Sequence, residues 1–162
     1  MVKTTAIRFK DTQIELAHGS GGKASRRLVE GLIAPILGNP ALDDAALLGL
    51  GSASLAFTAD SFVVKPLRFP GGSIGELAVN GTVNDLAVSG ARPVALLSTL
   101  ILEAGLSVQV LQAELEALQQ AAQRAGVRVV GGDTKVVEHG KADGLFISTS
   151  GIGLVDARVN LA

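Results

Sequence analysis

The chain has 162 residues, 14 basic and 15 acidic, a formal net charge of −1 and no cysteine. That is one domain's length with room for a core. The basic residues are too scattered to mark a nucleic-acid or anionic-membrane partner, and the missing thiols exclude disulfides, thiolate metal sites and a cysteine nucleophile within these residues.

The amino terminus, MVKTTAIRFKD, lacks the apolar core of a signal peptide, and no run approaches a membrane span, so a cytoplasmic protein is expected. Residues 6 to 16 alternate loosely and predict an edge strand, followed by the loop AHGSGGK. From Lys23 to about Ala34 apolar residues recur at four-residue spacing, which predicts a short helix that Pro35 ends. LGNPALDDAALLGLGS reads as a turn-rich connection, and LAFTADSFVV (55 to 64) as a strand. The stretch from about 74 to 89 is predicted helical: Ser73 stands three residues before Glu76 as in a capping box, and Gly90 and Pro93 follow. It reads as a buried apolar segment, yet Asn80, Asn84 and Asp85 interrupt it. PVALLSTLIL (93 to 102) has strand length, and residues 108 to 125 form the clearest helix, with Leu111, Leu115, Leu118, Ala122 and Ala125 on one face and Gln and Glu on the other. VRVVGGDTKVV and GLFISTSGIGLV predict two final strands joined by the polar hairpin HGKADG. The order β, α, β, α, β, α, β, β implies an α+β or α/β domain with a mixed sheet.

HGSGGKAS fails the P-loop pattern, because its glycines are too close and Ala24 stands where a magnesium-binding hydroxyl is required. Consecutive glycines before a helix, with Lys23 beside them, still suit a phosphate nest; a flexible loop with a solvated lysine is the plainer alternative. Four separate segments drop acids next to apolar runs: Asp43 and Asp44, Asp60, Asp85, and Asp133. Each alone reads as a cap or turn. Together they suggest one shared ligand, and the partner that reconciles acids with a phosphate nest is a hard divalent cation, Mg²⁺, bridging to phosphate. His18 and His139 have no partner at metal-ligand spacing, Ser20 has no base, and Arg68 and Arg92 read as solvated surface positions.

LAHGSGGK, DDAALL, the block FTADSFVVKPLRFPGGSIGELAVNGTVNDLAVSGARP and VVGGDTKVV resemble the amino-terminal half of the hydrogenase maturation factor HypE family, over essentially the whole chain. NDLAVSGARP and the DDAA pair alone would indicate only the wider superfamily of aminoimidazole ribonucleotide synthetase, thiamine monophosphate kinase and selenophosphate synthetase. The last of these is expected to carry a reactive cysteine or selenocysteine beside the glycine-lysine loop, where this sequence offers Ser20.

The resemblance implies an α+β fold in which a mixed four-stranded sheet with helices on one face pairs with its twin into an eight-stranded barrel-like homodimer. It implies ATP and Mg²⁺ in a groove there. Gly19, Gly21, Gly22 and Lys23 would hold phosphate, and Asp43, Asp44, Asp60, Asp85 and Asp133 would form the metal-binding acidic cluster, with Asn84 and Thr134 beside it. Lys23 and Asp85 would be the catalytic pair. Asp85 would be compensated by Mg²⁺ or a neighbouring lysine, with Asn80 and Asn84 satisfying the polar groups around it. HypE proteins use ATP to dehydrate a carboxamide on their own carboxy-terminal cysteine to thiocyanate, working with the carbamoyltransferase HypF and the iron-scaffold HypC–HypD complex. The family continues into a second domain and a cysteine tail, so these residues are read as its single amino-terminal ATP-binding and dimerisation domain. A non-catalytic dimerisation module and a small-molecule kinase-like relative are the readings kept beside it.

Overall fold

In the computed structural model, which describes residues 8–38 and 43–155, the chain divides into two units, Met1–Asp43 and Asp44–Ala162.

In the first unit the edge strand expected over 6 to 16 is absent among the described residues: 8–15 form no strand, and Leu16–His18 make a single 3₁₀ turn. Ile14 and Leu16 are 65% and 96% exposed, so the loose alternation does not mark a buried face. The helix predicted to stop at Pro35 runs further, as α1 (Gly22–Leu28), a π-turn (Val29–Ile33) and α2 (Ala34–Leu37), which ends at Gly38 with φ +67°. Pro35 has no N–H to offer the carbonyl of Gly31, four residues back. Phe9 N–H donates to that carbonyl instead, at 3.4 Å. Only glycine permits this approach, since a Cβ on residue 31 would lie 2.6 Å from Phe9 N.

The second unit begins with a strand the sequence reading had merged into a connection. β1 (Ala46–Leu50) forms a hairpin with β2 (Ala53–Phe62) across Gly51 and Ser52, Gly51 taking φ +61°. Next come a two-residue ladder, β3 (Arg68–Phe69) with β4 (Gly72–Ser73), then α3 (Ile74–Val88), β5 (Ala91–Glu103), α4 (Val108–Arg124), β6 (Arg128–Val137) and β7 (Leu145–Val155). The main sheet runs β1-β2-β7-β5-β6, so it has five strands rather than four. It is mixed: α4 carries the chain from β5 to a parallel β6, and β7 returns antiparallel between β2 and β5. Glu103, at the end of β5, organises the β6–β7 loop by accepting N–H bonds from Gly140, Ala142 and Gly144 at 2.8, 3.2 and 3.2 Å. Those donors, Gly140 foremost, hold its carboxyl below the ordinary range.

Both long helices lie on one face of this sheet. Along β7, Leu145, Ile147, Thr149, Gly151 and Gly153 are buried alternately, and Leu145 and Ile147 join Phe62, Ile74, Val79, Leu96 and Leu118 in the main core. The same alternation leaves Phe57 and Leu97, on the opposite face, 44% and 46% exposed. On α3 the buried residues are Ile74, Gly75, Ala78, Val79, Thr82 and Leu86, a single stripe, whereas Asn80 and Asn84 face solvent. On α4 the expected division into apolar and polar faces breaks at Glu114, which is fully buried. No helix among the described residues is long and apolar enough to cross a membrane.

Candidate functional site

Alternation along β2 decides which side chains meet α3. Ala56, Thr58 and Phe62 are buried beneath the helices, and Asp60 shares their face. One turn apart on α3, Gly81 lies over Asp60 and Asp85 over Thr58. A Cβ at residue 81 would stand 3.4 Å from Asp60 Oδ2 and 2.7 Å from the Phe62 ring, so glycine makes room for both. Thr58 Oγ1 donates to the carbonyl of Asp44 at 2.8 Å and lies 3.2 Å from Asp85 Oδ2. A hydroxyl has one proton, and the shorter contact is to the carbonyl, so Asp85 receives little from it. Burial of Asp85, then repulsion from Asp60 and Asp44, raise its carboxyl above the ordinary value, against the opposing pull of Thr58.

Three predicted acids therefore lie in one unit: Asp44, exposed two residues before β1; Asp60, half-buried; and Asp85, half-buried on the shoulder of α3. Among the described residues no basic side chain pairs with any of them, so the neighbouring lysine expected to compensate Asp85 is not there. Nor do Asn80 and Asn84 satisfy it from within a buried segment, because both are exposed.

Asp133 is not brought to this cluster within one chain. Asp60 pairs across the sheet with Thr149 and Ser98, on the helix-covered face where Thr149 bonds to the Ala78 carbonyl. Asp133 pairs in register with Thr99, and Thr99 with Ser148, which places it on the opposite, open face. Its carboxylate has its own cation, Lys135 Nζ at 2.6 Å, and accepts Thr134 N–H at 2.8 Å. Lys135 foremost, then that N–H, hold it below the ordinary value. Thr134 is exposed, as is Asp43, which belongs to the first unit. Also in the first unit, Gly19 precedes Gly21 and Gly22, whose φ values of +78° and +74° lie in the region that favours glycine, and Lys23 follows in α1. Arg68 is no idle surface residue, for it pairs with Glu114.

The donor chemistry suits a hard cation: three carboxylates without a counter-charge, one with a raised proton affinity. Among the described residues, however, no three acids or imidazoles stand close enough to cage a metal. Sequence reasoning missed Thr58, although FTADSF carries the signal: Thr58 stands two residues from Asp60, on the same face.

The family described as AIR synthase related protein, N-terminal domain, matches residues 42–155. The chain belongs to this family. It is 48% identical over 154 residues to the carbamoyl dehydratase HypE of Rhodobacter capsulatus, covering 92% of this chain and 45% of that relative. Of solved structures, one of a HypE–HypF complex superposes with a TM-score of 0.73 at 47% identity, over 79% of this chain and 42% of that one. Another, of HypE in complex with ATP, gives 0.64 at 47% identity, over 88% and 43%. The chain thus spans less than half the length of the curated relatives it matches, and the resemblance to HypE seen in its motifs extends through the fold.

Proposed function

We propose that the chain is the nucleotide-binding and dimerisation domain of a HypE-like [NiFe] hydrogenase maturation protein. The observation that carries this is the uncompensated trio Asp44, Asp60 and Asp85, found in a domain close to a HypE solved with ATP. The Gly19–Gly22 backbone and Lys23 bind phosphate. Asp85 and Asp60, with Asp44 at their edge, hold Mg²⁺, and Asn84 is exposed beside them to a ligand. Bound there, Mg²⁺ would supply positive charge to the polyphosphate of ATP; the terminal phosphoryl group would pass to the carboxamide oxygen with release of ADP, and that oxygen would then leave as phosphate while the amide nitrogen gives up its two protons to form the nitrile. Asp43 and Thr134 are further nucleotide contacts. Asp133 joins the metal set through a second copy of the chain, since within one copy it lies on the other face of the sheet.

The whole protein is a cytoplasmic carbamoyl dehydratase that forms thiocyanate on a cysteine. These 162 residues contain none, so the acceptor sulfur lies outside them. HypF, which delivers the carbamoyl group, and the HypC–HypD complex are its partners, as the HypE–HypF structure supports for the first.

Calorimetric titration tests the core of this reading. ATP should bind in the presence of Mg²⁺ and bind far more weakly in EDTA, with ADP release close to background. Heat of binding that ignores Mg²⁺, or turnover at an ordinary enzymatic rate, would show that the catalytic machinery has been misplaced. The open sheet face, with Phe57 and Leu97 uncovered and Leu48 and Leu50, on the same side of the β1–β2 ladder as Phe57, 54% and 68% exposed, calls for a second copy to cover it. Sedimentation at micromolar concentration should give a dimer; a stable monomer of the sequence mass would remove that part of the proposal.

A further inference from the structure

We propose that His18 is the positioning residue of the Gly19–Lys23 loop, holding it through an imidazole locked in one tautomer. His18 is the one buried side chain among residues 8–38, although Ile14 and Leu16 beside it are apolar and exposed. A polar ring buried where leucine is not must be held by its nitrogens, and both have partners. Glu15 N–H donates to Nδ1 at 2.9 Å. An amide N–H can only donate, so Nδ1 carries a lone pair and the proton is on Nε2, which donates to Asp11 Oδ2 at 2.9 Å. The ring thereby ties the incoming segment to the 3₁₀ turn, while His18 N–H closes the turn on the Glu15 carbonyl at 2.9 Å. The edge of the Phe9 ring packs against the imidazole, centroids 5.3 Å apart.

The turn fixes where the loop starts. Gly19 N–H and Ser20 Oγ both bond to the Leu16 carbonyl, at 3.0 and 2.7 Å, and the left-handed Gly21 and Gly22 follow directly. Two adjacent left-handed glycines have wide conformational freedom, so the direction of the loop depends on the anchor before it. That anchor is the His18 turn. Among the described residues the charged groups around the ring are Asp11 on Nε2, Arg27 of α1 at 3.8 Å from the same carboxylate, and Glu15, whose backbone reaches Nδ1. The functional half of this inference rests on the phosphate-binding reading of the loop; the tautomer and the anchor do not.

Two substitutions separate the nitrogens. In His18→Asn the amide oxygen takes the place of Nδ1, and in His18→Gln the amide nitrogen takes the place of Nε2 without an acceptor for Glu15. Nitrogen-15 NMR of the wild-type chain at neutral pH should show Nδ1 unprotonated. Amide exchange at Glu15 and Gly19 should be about tenfold faster in His18→Gln and close to wild type in His18→Asn, and Mg²⁺-dependent ATP affinity should fall about three- to tenfold in the Gln variant alone. A protonated Nδ1 at neutral pH, or a Gln variant with wild-type exchange and wild-type affinity, overturns the proposal. A wild-type chain that does not bind ATP overturns the phosphate reading instead, and His18 then stands or falls on the tautomer and the exchange alone.

Discussion

Asp85→Ala is expected to weaken Mg²⁺-dependent ATP binding about a hundredfold while leaving the ligand-free domain as stable as wild type or more so. The two effects have one origin. Asp85 is pushed above its ordinary pKa by burial and by Asp60 and Asp44, with no cation to oppose them among the described residues, so its ionised form is a liability until a ligand arrives. The sign follows from linkage. A group whose folded pKa is raised contributes stability that is present below the unfolded pKa and lost as pH rises through the folded one. At neutral pH Asp85 therefore costs stability, and Asp85→Asn should unfold at higher denaturant than wild type, the gap closing as pH falls into the carboxylate range. Because Asp85 is half-exposed, solvent screens the repulsion and the gain should be at most about 1 kcal/mol. Thr58 loses little, since its nearer acceptor is the Asp44 carbonyl at 2.8 Å. Urea unfolding from acid to neutral pH, with parallel ATP titrations, checks both halves. Asp85→Ala melting far below wild type with and without ATP would make Asp85 a structural group.

Much of the fold was legible because hydrophobic period and capping agreed. Ser73 caps α3 as the spacing from Glu76 suggested, and α4 runs Val108–Arg124 within a residue of expectation. β1 was not legible by alternation: all five residues, Ala46–Leu50, are exposed, so no inward stripe exists to read. Its one signal was the Gly51–Ser52 pair between apolar runs, which marks a two-residue hairpin. The extended helix was hidden by Pro35, whose effect depends on whether a distant group can use the carbonyl it leaves free. Phe9 does, a contact across 22 positions that no local window contains. For the site, acids interrupting apolar segments marked Asp60 and Asp85, which strand alternation and helical spacing put on facing surfaces of β2 and α3. Asp133 carried the same local signal and lies on the other face, since register through three strand pairings decides its side. Helical periodicity places Glu114 on the polar face, because it cannot show that the short strand β3 brings Arg68 to it.

Arg68→Ala should be the most destabilising single change to a partly exposed side chain in this domain, by about 3 kcal/mol. Glu114 is fully buried in α4, with Oε1 2.8 Å from Arg68 Nε and Oε2 accepting Gly75 N–H at 3.2 Å. Arg68 also donates from Nη2 to the Ala113 carbonyl at 2.8 Å. The crossing of α3 over α4 is tight here, since a Cβ at Gly75 would stand 2.1 Å from the Glu114 carbonyl oxygen, so no water fits between the backbones to replace a lost partner. Removing Arg68 leaves an anion in the interior with a single helix-terminal N–H to offset it. Removing the charge is the milder change: Glu114→Gln keeps an acceptor for Gly75 N–H and lets the half-exposed Arg68 turn to solvent, at a cost of about 1 kcal/mol. The two therefore couple, and Arg68→Ala combined with Glu114→Gln should be more stable than Arg68→Ala alone. Denaturant midpoints for the two single variants and the double, with Arg92→Ala as an exposed control, decide the matter. An Arg68→Ala midpoint within about 0.5 kcal/mol of that control would mean that the pair contributes nothing and that Glu114 is held by the α3 terminus alone.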